Sequence, residues 1–595
     1  MNGSAAAGTA AAARGGTGVV VRVNGPLVEV EGLAGQAVAD LLAIGDGRLE
    51  AEVVGIEAGL LTAQAYETTS GLRVGEPVVG LGRPLSAALG PGLLGGIFDG
   101  LLRPLSGRPA WLAPGSWTEA GTPRRWGFEP SAAVGAEMTA GSVLGIVGRD
   151  AAVVHRVLVP PGVSGRLESI SPAADLDGAS TVAVVAGRRI YLDELWPVRR
   201  ARPASARRPP TTPLVTGQRV VDLLFPVVKG GTAAVPGGFG TGKTVLLQQI
   251  VKWCEADVIV FVGCGERGNE LADALHDLAA LEDPRTGRGL LERTVVIANT
   301  SNMPVMAREA SIYSGMAVAE YYRDMGYDVV LLADSTSRWA EAMREFSSRR
   351  GDLPAEEGYP ANLSSALAAF YERAGQVETL GGTVGSVTAI GAVSPPSGDM
   401  TEPVTAHTER FVRCLWSLDR DLAYARHYPA VTWRRSFSRD GDAVEAWHAS
   451  AGRSQWARSR ARALGLLGDA DRLAPMAELV GLAGLPAGER MVLLGGRLLR
   501  EAVLQQSALS ENDATCAPAK QTALLDAVLA VYDRCVTLVE AGVPPGLVEE
   551  VDLSGLVRVR DEVGPGDAAG VDRRRDQVLG ALDGLSPAGP AGGGR

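Results

Sequence analysis

Residues 235–244 read Val-Pro-Gly-Gly-Phe-Gly-Thr-Gly-Lys-Thr and contain the pattern G-x-x-x-x-G-K-T. Apolar Ala233, Ala234 and Val235 predict a strand running in, and residues 245–254, Val-Leu-Leu-Gln-Gln-Ile-Val-Lys-Trp-Cys, predict an amphipathic helix running out. A strand, a glycine-rich turn and a helix in that order build a phosphate cradle. Backbone N–H groups converge on the anion, the lysine supplies a point charge, and the hydroxyl faces a metal ion. The candidate nucleotide-binding residues are therefore Gly237, Gly238, Phe239, Gly240, Thr241, Gly242, Lys243, Thr244 and Val245. Lys243 is the expected partner of the β- and γ-phosphates and Thr244 an expected Mg²⁺ ligand.

This unit sits inside a long chain. Its 595 residues exceed what one hydrophobic core organises and predict about three or four domains. Between about residues 210 and 440, apolar strand candidates at 258–262, 294–298 and 328–334 alternate with helical stretches, which predicts a largely parallel sheet covered on both faces. Ahead of it, alternation and turn glycines in 18–25 and 27–32 predict short antiparallel strands of a small β-barrel. Residues 111–198 are rich in Gly, Pro and short apolar runs such as Thr181-Val-Ala-Val-Val-Ala186, predicting a β-rich insertion. Past Asp440, residues 443–466 and 488–507 carry helical apolar spacing and predict a helical bundle. Gly495 and Gly496 weaken the second stretch by about 1 kcal/mol each relative to alanine.

The predicted organisation is multidomain α+β: a disordered tail (1–16), a β-barrel (17–80), a nucleotide-binding α/β domain (81–110 and 199–440), the β-rich insertion (111–198), a C-terminal helical domain (441–585) and a flexible tail (586–595). The first tail lacks the longer apolar core of a secretory signal. No apolar stretch approaches the ~18 residues of a membrane span. A net charge of -11 disfavours a nucleic-acid groove, and the one basic run, residues 199–208, reads as a solvated linker. Cys254, Cys264, Cys414, Cys516 and Cys535 lack C-x-x-C spacing and suit reduced, mostly buried thiols. His155, His276, His407, His427 and His448 lack metal-ligand spacing, so packing or surface roles are expected.

Hydrolysis needs more than binding. Asp334 ends the apolar run 329–333, where a second acid can hold the metal directly or through water; a helix N-cap is the competing reading, since Ser335, Thr336 and Ser337 follow. Glu266 follows residues 258–265 and is expected just past the C-terminal end of a strand, where sites of open parallel sheets collect. It is the candidate carboxylate to orient the attacking water. Arg267 can neutralise γ-phosphate charge, and Glu270 is a second, less favoured carboxylate. A surface Glu-Arg pair is the plainer alternative.

Six runs together resemble the catalytic A subunit of the V/A-type rotary ATPases, of the ATP synthase alpha/beta superfamily: Leu89-Gly-Pro-Gly-Leu-Leu-Gly-Gly-Ile-Phe-Asp-Gly100, Val159-Pro-Pro-Gly-Val-Ser-Gly165, Pro236 to Thr244, Gly263-Cys-Gly-Glu-Arg-Gly-Asn-Glu270, Asp334-Ser-Thr-Ser-Arg338 and Ser394-Pro-Pro-Ser-Gly-Asp399. They stand in the family's order, and the similarity spans residue 18 to about 540.

The resemblance implies a RecA-like nucleotide domain, with residues 111–198 as the bulge that separates this catalytic chain from its F-type counterpart. It implies ATP or ADP with Mg²⁺, and turnover coupled to proton or sodium transport. It also implies an alternating hexamer with the non-catalytic B subunit, central and peripheral stalk subunits, and a membrane ion-translocating sector reached indirectly, with no nucleic acid. The chain would be cytoplasmic, peripheral on the inner face of the cell membrane. By position, Lys243 and Thr244 match the phosphate and Mg²⁺ residues, Glu266 the water-activating carboxylate, Arg267 a γ-phosphate contact, Asp334 the metal-associated acid, Arg338 a nearby polar contact and Tyr428 an aromatic against adenine. Two positions depart: Ser397 where the family usually has glycine, and Leu509 where an aromatic residue is common near the base. The alternatives are a RecA-like hexameric helicase or export ATPase, and a non-catalytic nucleotide-binding subunit. The last would not need Glu266 and Lys243, a helicase would carry a more basic channel, and neither the helicase nor the export ATPase needs the insertion.

Overall fold

A computed structural model of the chain describes residues 16–107, 124–283 and 285–585. The two expected tails, apart from Gly16, and residues 111–123 of the expected insertion lie outside the described residues. Described residues of Met1–Pro209, Ala256–Ala392 and Ala406–Thr408 form one compact unit, and those of Pro210–Glu255, Val393–Thr405 and Glu409–Arg595 a second.

The first unit begins with a closed barrel of six strands: β1 (Thr17–Asn24), β2 (Leu27–Glu31), β3 (Asp40–Ile44), β4 (Leu49–Glu57), β5 (Leu60–Ala65) and β6 (Pro77–Pro84), in the order β1-β2-β5-β4-β3-β6. Antiparallel pairing of β1 with β6 closes it. The alternating residues Val20, Val28, Val30, Leu42, Ile44, Val53, Leu61 and Val78 fill the interior. Two four-stranded antiparallel sheets follow, built between Trp126 and Tyr191 around Phe128, Leu144, Leu167, Val182 and Val185. The strand Glu194–Pro197 then pairs with Ser86–Leu89.

The same unit holds parallel strands in the order Val384–Val393, Asp328–Asp334, Val258–Glu266, Thr294–Thr300 and Ile97–Phe98. Residues 258–265 are buried without alternation, as strands covered on both faces require. The helix Val305–Asp324 packs against three of them, Val258–Glu266, Thr294–Thr300 and Asp328–Asp334. The basic run at 199–208 is largely exposed, as a solvated linker would be, but two of its arginines are spent within the fold. Arg199 pairs with Glu52 at 2.7 Å and Glu309 at 2.6 Å, and Arg202, its side chain 3% exposed, pairs with Asp324 at 2.6 Å and Glu194 at 3.0 Å. Carboxylates neutralise Arg199 and Arg202, whose charge composition alone assigned to water.

In the second unit the strand Thr232–Pro236 runs parallel to Cys414–Leu415, which pairs antiparallel with Phe437–Ser438. Beyond Ser438 the described residues are helical, as expected, but with breaks. The stretch 443–466 is two helices, Gly441–Ser450 and Trp456–Val480, separated where Gly452 turns the chain at φ 78° and His448 stacks on buried Trp456 at 4.5 Å. The stretch 488–507 is helical only from Ala487 to Leu504, its last turn widened to a π-helix from Leu499, and the chain leaves at Gln505. Gly495 and Gly496 now have a reason. A Cβ on Gly496 would stand 2.4 Å from that of Ala470, and one on Gly495 2.6 Å from the ring of Tyr532, so only glycine lets these helices approach. All five cysteines are free and buried.

Candidate functional site

In the second unit, Thr232–Pro236 is buried throughout and delivers the chain into residues 237–242; the helix Lys243–Trp253 starts at once beyond them. The turn depends on Gly240 at φ 77° and Gly242 at φ 90°, left-handed values that a side chain would strain. Gly237 is anchored by its amide to Val393 O at 3.1 Å, and Thr241 Oγ1 donates to Gly238 O at 2.9 Å. Lys243 Nζ donates back to Gly237 O at 2.6 Å and Gly238 O at 2.9 Å, holding its charge at the loop. Phe239, Thr244 and Val245 are exposed, the latter two in the first helical turn. The positive end of the helix dipole adds to the lysine, so the loop attracts an anion.

Tyr428 lies beside this loop: its ring carbons are 3.7 and 3.8 Å from the position of a Cβ on Gly242. The turn at 396–398 is also adjacent, Gly398 Cα being 3.8 Å from a Cβ position on Gly238. Ser397 in that turn has φ 55°, a backbone state that glycine adopts without cost.

The first unit gathers the remaining predicted residues. Glu266 is the last residue of its strand, not a residue beyond it; a bulge between Cys264 and Glu266 carries the pairing one residue further. Gly263 pairs with Asp334, so the two strands end side by side. Arg267 caps the helix Gly268–Ala280 and meets Glu270 at 3.8 Å with 70% of its side chain exposed. Glu270 therefore serves as the loose partner of Arg267. Arg338, in the first turn of Thr336–Arg350, bonds Glu341 at 2.9 Å. That bond, with the charges of Glu266 and Glu270, raises its pKa further.

Asp334 is not the helix N-cap. Ser335 holds that position, and Asp334 is 4% exposed at the strand end. The fully buried Ser335 hydroxyl beside it has no hydrogen-bond partner. Mg²⁺ takes oxygen ligands and keeps several waters, a chemistry that the Thr244 hydroxyl of the second unit and the Asp334 carboxylate of the first each suit by themselves. Among the described residues no cluster of three or more His, Cys, Asp or Glu could hold a metal by itself.

Sequence reasoning missed Arg308. Its guanidinium is buried against the turn that carries Glu266: a Cβ on Gly265 would sit 3.1 Å from Arg308 Cδ. Nη2 donates to Ser301 O at 2.8 Å, and the Ser301 amide donates to Glu266 O at 3.0 Å. Its place in an Arg-Glu pair near the start of a helix gave no signal of that contact.

Four family models match the chain: the ATP synthase alpha/beta beta-barrel domain at 20–82, its barrel-sandwich domain at 121–199, its nucleotide-binding domain at 217–438, and the C-terminal domain of V and A type ATP synthase at 445–544. The V-type ATP synthase alpha chain of Anaeromyxobacter sp. (strain K) is 49% identical, over 95% of this chain and all of the relative. The corresponding A-type ATP synthase chain of Methanopyrus kandleri is 47% identical, over 90% of this chain and 93% of its own. Among solved structures, the assembled ATPase EscN of the enteropathogenic E. coli type III secretion system shares the fold, with TM-score 0.62 and 22% identity over 86% of this chain and all of that one. Barrel, barrel-sandwich, phosphate-loop domain and V/A-type helical domain follow one another in order, and the chain belongs to the ATP synthase alpha/beta family as a catalytic chain of V/A type.

Proposed function

We infer that this chain is the ATP-hydrolysing and ATP-making subunit of a rotary V/A-type complex, coupling ATP turnover to proton or sodium transport, and that the residues named above divide the chemistry as follows. The amides of 238–242 and Lys243 bind and orient the β- and γ-phosphates. Thr244 and Asp334 hold Mg²⁺, which when bound neutralises phosphate charge. Glu266 orients the attacking water and draws off its proton, Arg267 stabilises charge on the γ-phosphoryl oxygens, and Arg338 is a nearby polar contact. Tyr428 packs on adenine. The observation that carries this reading is the shared end of two neighbouring strands, with the Glu266 turn beside Asp334 and Arg338 against it.

The domain limits of the sequence reading belong to the same proposal, as does an alternating hexamer with the non-catalytic B subunit, whose arginine would complete each site. Binding energy that differs among open and closed interfaces would then bias a central stalk. No helix among the described residues is long and apolar enough to cross a membrane, and attachment to the inner membrane face through the complex belongs to the same proposal. Retention of both Lys243 and Glu266 argues against a non-catalytic role, and 47% to 49% identity to V/A-type chains argues against a helicase or export ATPase.

The test is ATP turnover by the chain reassembled with its partner. Glu266→Gln retains MgATP binding and lowers turnover by at least ~10²-fold. An unchanged rate removes Glu266 from the reaction.

A further inference from the structure

The second unit holds an ion pair to which none of the chemistry above assigns a part. Arg219 and Asp513 both have 0% side-chain exposure, and Arg219 Nη1 meets Asp513 Oδ1 at 2.5 Å. A buried pair of this kind costs desolvation that its own attraction scarcely offsets, so it stabilises little by itself. What it does is organise a segment. Arg219 Nε donates to Val503 O at 2.6 Å, Nη2 to Gln505 O at 2.5 Å, and the Arg219 amide to Gln506 Oε1 at 2.8 Å. Asp513 Oδ2 accepts from the Ser507 amide at 2.7 Å. The π-helical exit at Leu499–Leu504 and the extended residues after it are thereby fixed at both ends.

That segment in turn holds Tyr428. The Gln506 amide donates to Tyr428 O at 2.8 Å, while Gln506 Nε2 is spent on Gly217 O at 2.8 Å. Gln506 is 4% exposed, whereas Tyr428 is 43% exposed with its ring beside the phosphate loop. The chain of contacts therefore runs from a wholly dry ion pair, through one glutamine, to an accessible aromatic ring next to the phosphates.

We propose that Arg219 and Asp513 are positioning residues for the base-binding end of the nucleotide site, setting where the Tyr428 ring stands through Gln506. The proposal rests on the reading of Tyr428 as the adenine contact. It assigns the pair to recognition of the base and not of the phosphates, because Lys243 and residues 237–242 are held by their own bonds.

The test compares binding of ATP with binding of tripolyphosphate, which lacks base and ribose, by the full-length chain and its variants. Asp513→Asn is expected to weaken ATP about tenfold while tripolyphosphate stays within about twofold, and Tyr428→Ala to do the same. If Tyr428→Ala leaves the ratio of the two affinities unchanged, the adenine reading is wrong. If Tyr428→Ala moves the ratio and Asp513→Asn does not, or if Asp513→Asn weakens both ligands equally, the ion pair is only structural and the proposal fails. Should Asp513→Asn not fold, Arg219→Lys replaces it, since it keeps the charge and the backbone bond to Gln506 and loses the guanidinium bonds that hold Val503 and Gln505. That variant is expected to shift the ratio in the same direction and to speed hydrogen exchange at the residue 506 amide. Unaltered exchange together with an unaltered ratio overturns the proposal.

Discussion

Two arginine-rich regions of the first unit differ in one respect that separates structure from chemistry. At 199–208, Arg202 is 3% exposed and bonded to two carboxylates at 2.6 and 3.0 Å. At the strand ends, Arg267 is 70% exposed and its carboxylate is 3.8 Å away. A guanidinium closely matched by carboxylates has little left for a ligand. One that is loosely matched and wet keeps its field for a phosphate, at small cost to the fold. Sequence alone marks Arg267 as a phosphate contact by its place after Glu266, with a surface pair as the plainer alternative, and assigns the dense basic run to solvent.

The largest effect that would sharpen this contrast is on stability. Arg202→Ala takes the counter-charge from part-buried Glu194, leaves Asp324 with Arg323 alone and should lower stability by about 3 kcal/mol, read by thermal unfolding. A loss below about 1 kcal/mol would mean that water reaches the cluster. Arg267→Ala should do the opposite: stability within about 0.5 kcal/mol of the parent, and turnover in the assembled complex down about 10²-fold. Unaltered turnover would return Arg267 to the surface.

A third prediction extends the contrast to a buried group held neutral. His155 is enclosed with Tyr321 and Tyr322, and burial pushes its pKa from 6.5 down to about 3. Its folded pKa lies below its unfolded one, so the unfolded chain takes up a proton that the folded chain refuses. The stability it contributes is full above pH 6.5 and is lost progressively as pH falls toward 3. His155→Gln should flatten the acid side of the melting profile, by up to about 1.4 kcal/mol per pH unit. An equally steep profile in the variant would place the acid sensitivity elsewhere. The smallest effect is at Ser397, whose φ of 55° a glycine would adopt freely; Ser397→Gly should stabilise by about 0.5–1 kcal/mol, measured by denaturant unfolding.

Much of the architecture can be read from local pattern. The apolar run at 328–334 matches its strand to the residue, and the phosphate loop stands between its strand and helix, because sheets buried on both faces and glycine turns leave short-range signatures. The helical breaks at 451–455 and after Leu504 are not readable: the first depends on Trp456 stacking on His448, and the second on Arg219, nearly 300 positions earlier. Gly495 and Gly496 count as helix weakeners until Ala470 and Tyr532 appear beside them.

The order of residues was enough to specify the ligand, the class of each domain and the family, since these rest on motifs in which neighbouring residues act together. Which charges are spent and which stay available was settled by folding. Coulomb energy depends on distance and hydration, and a linear chain states neither. Arg199, Arg202 and Arg219 met their carboxylates across 110, 122 and 294 positions, and only in the folded chain does Arg267 stand apart from them.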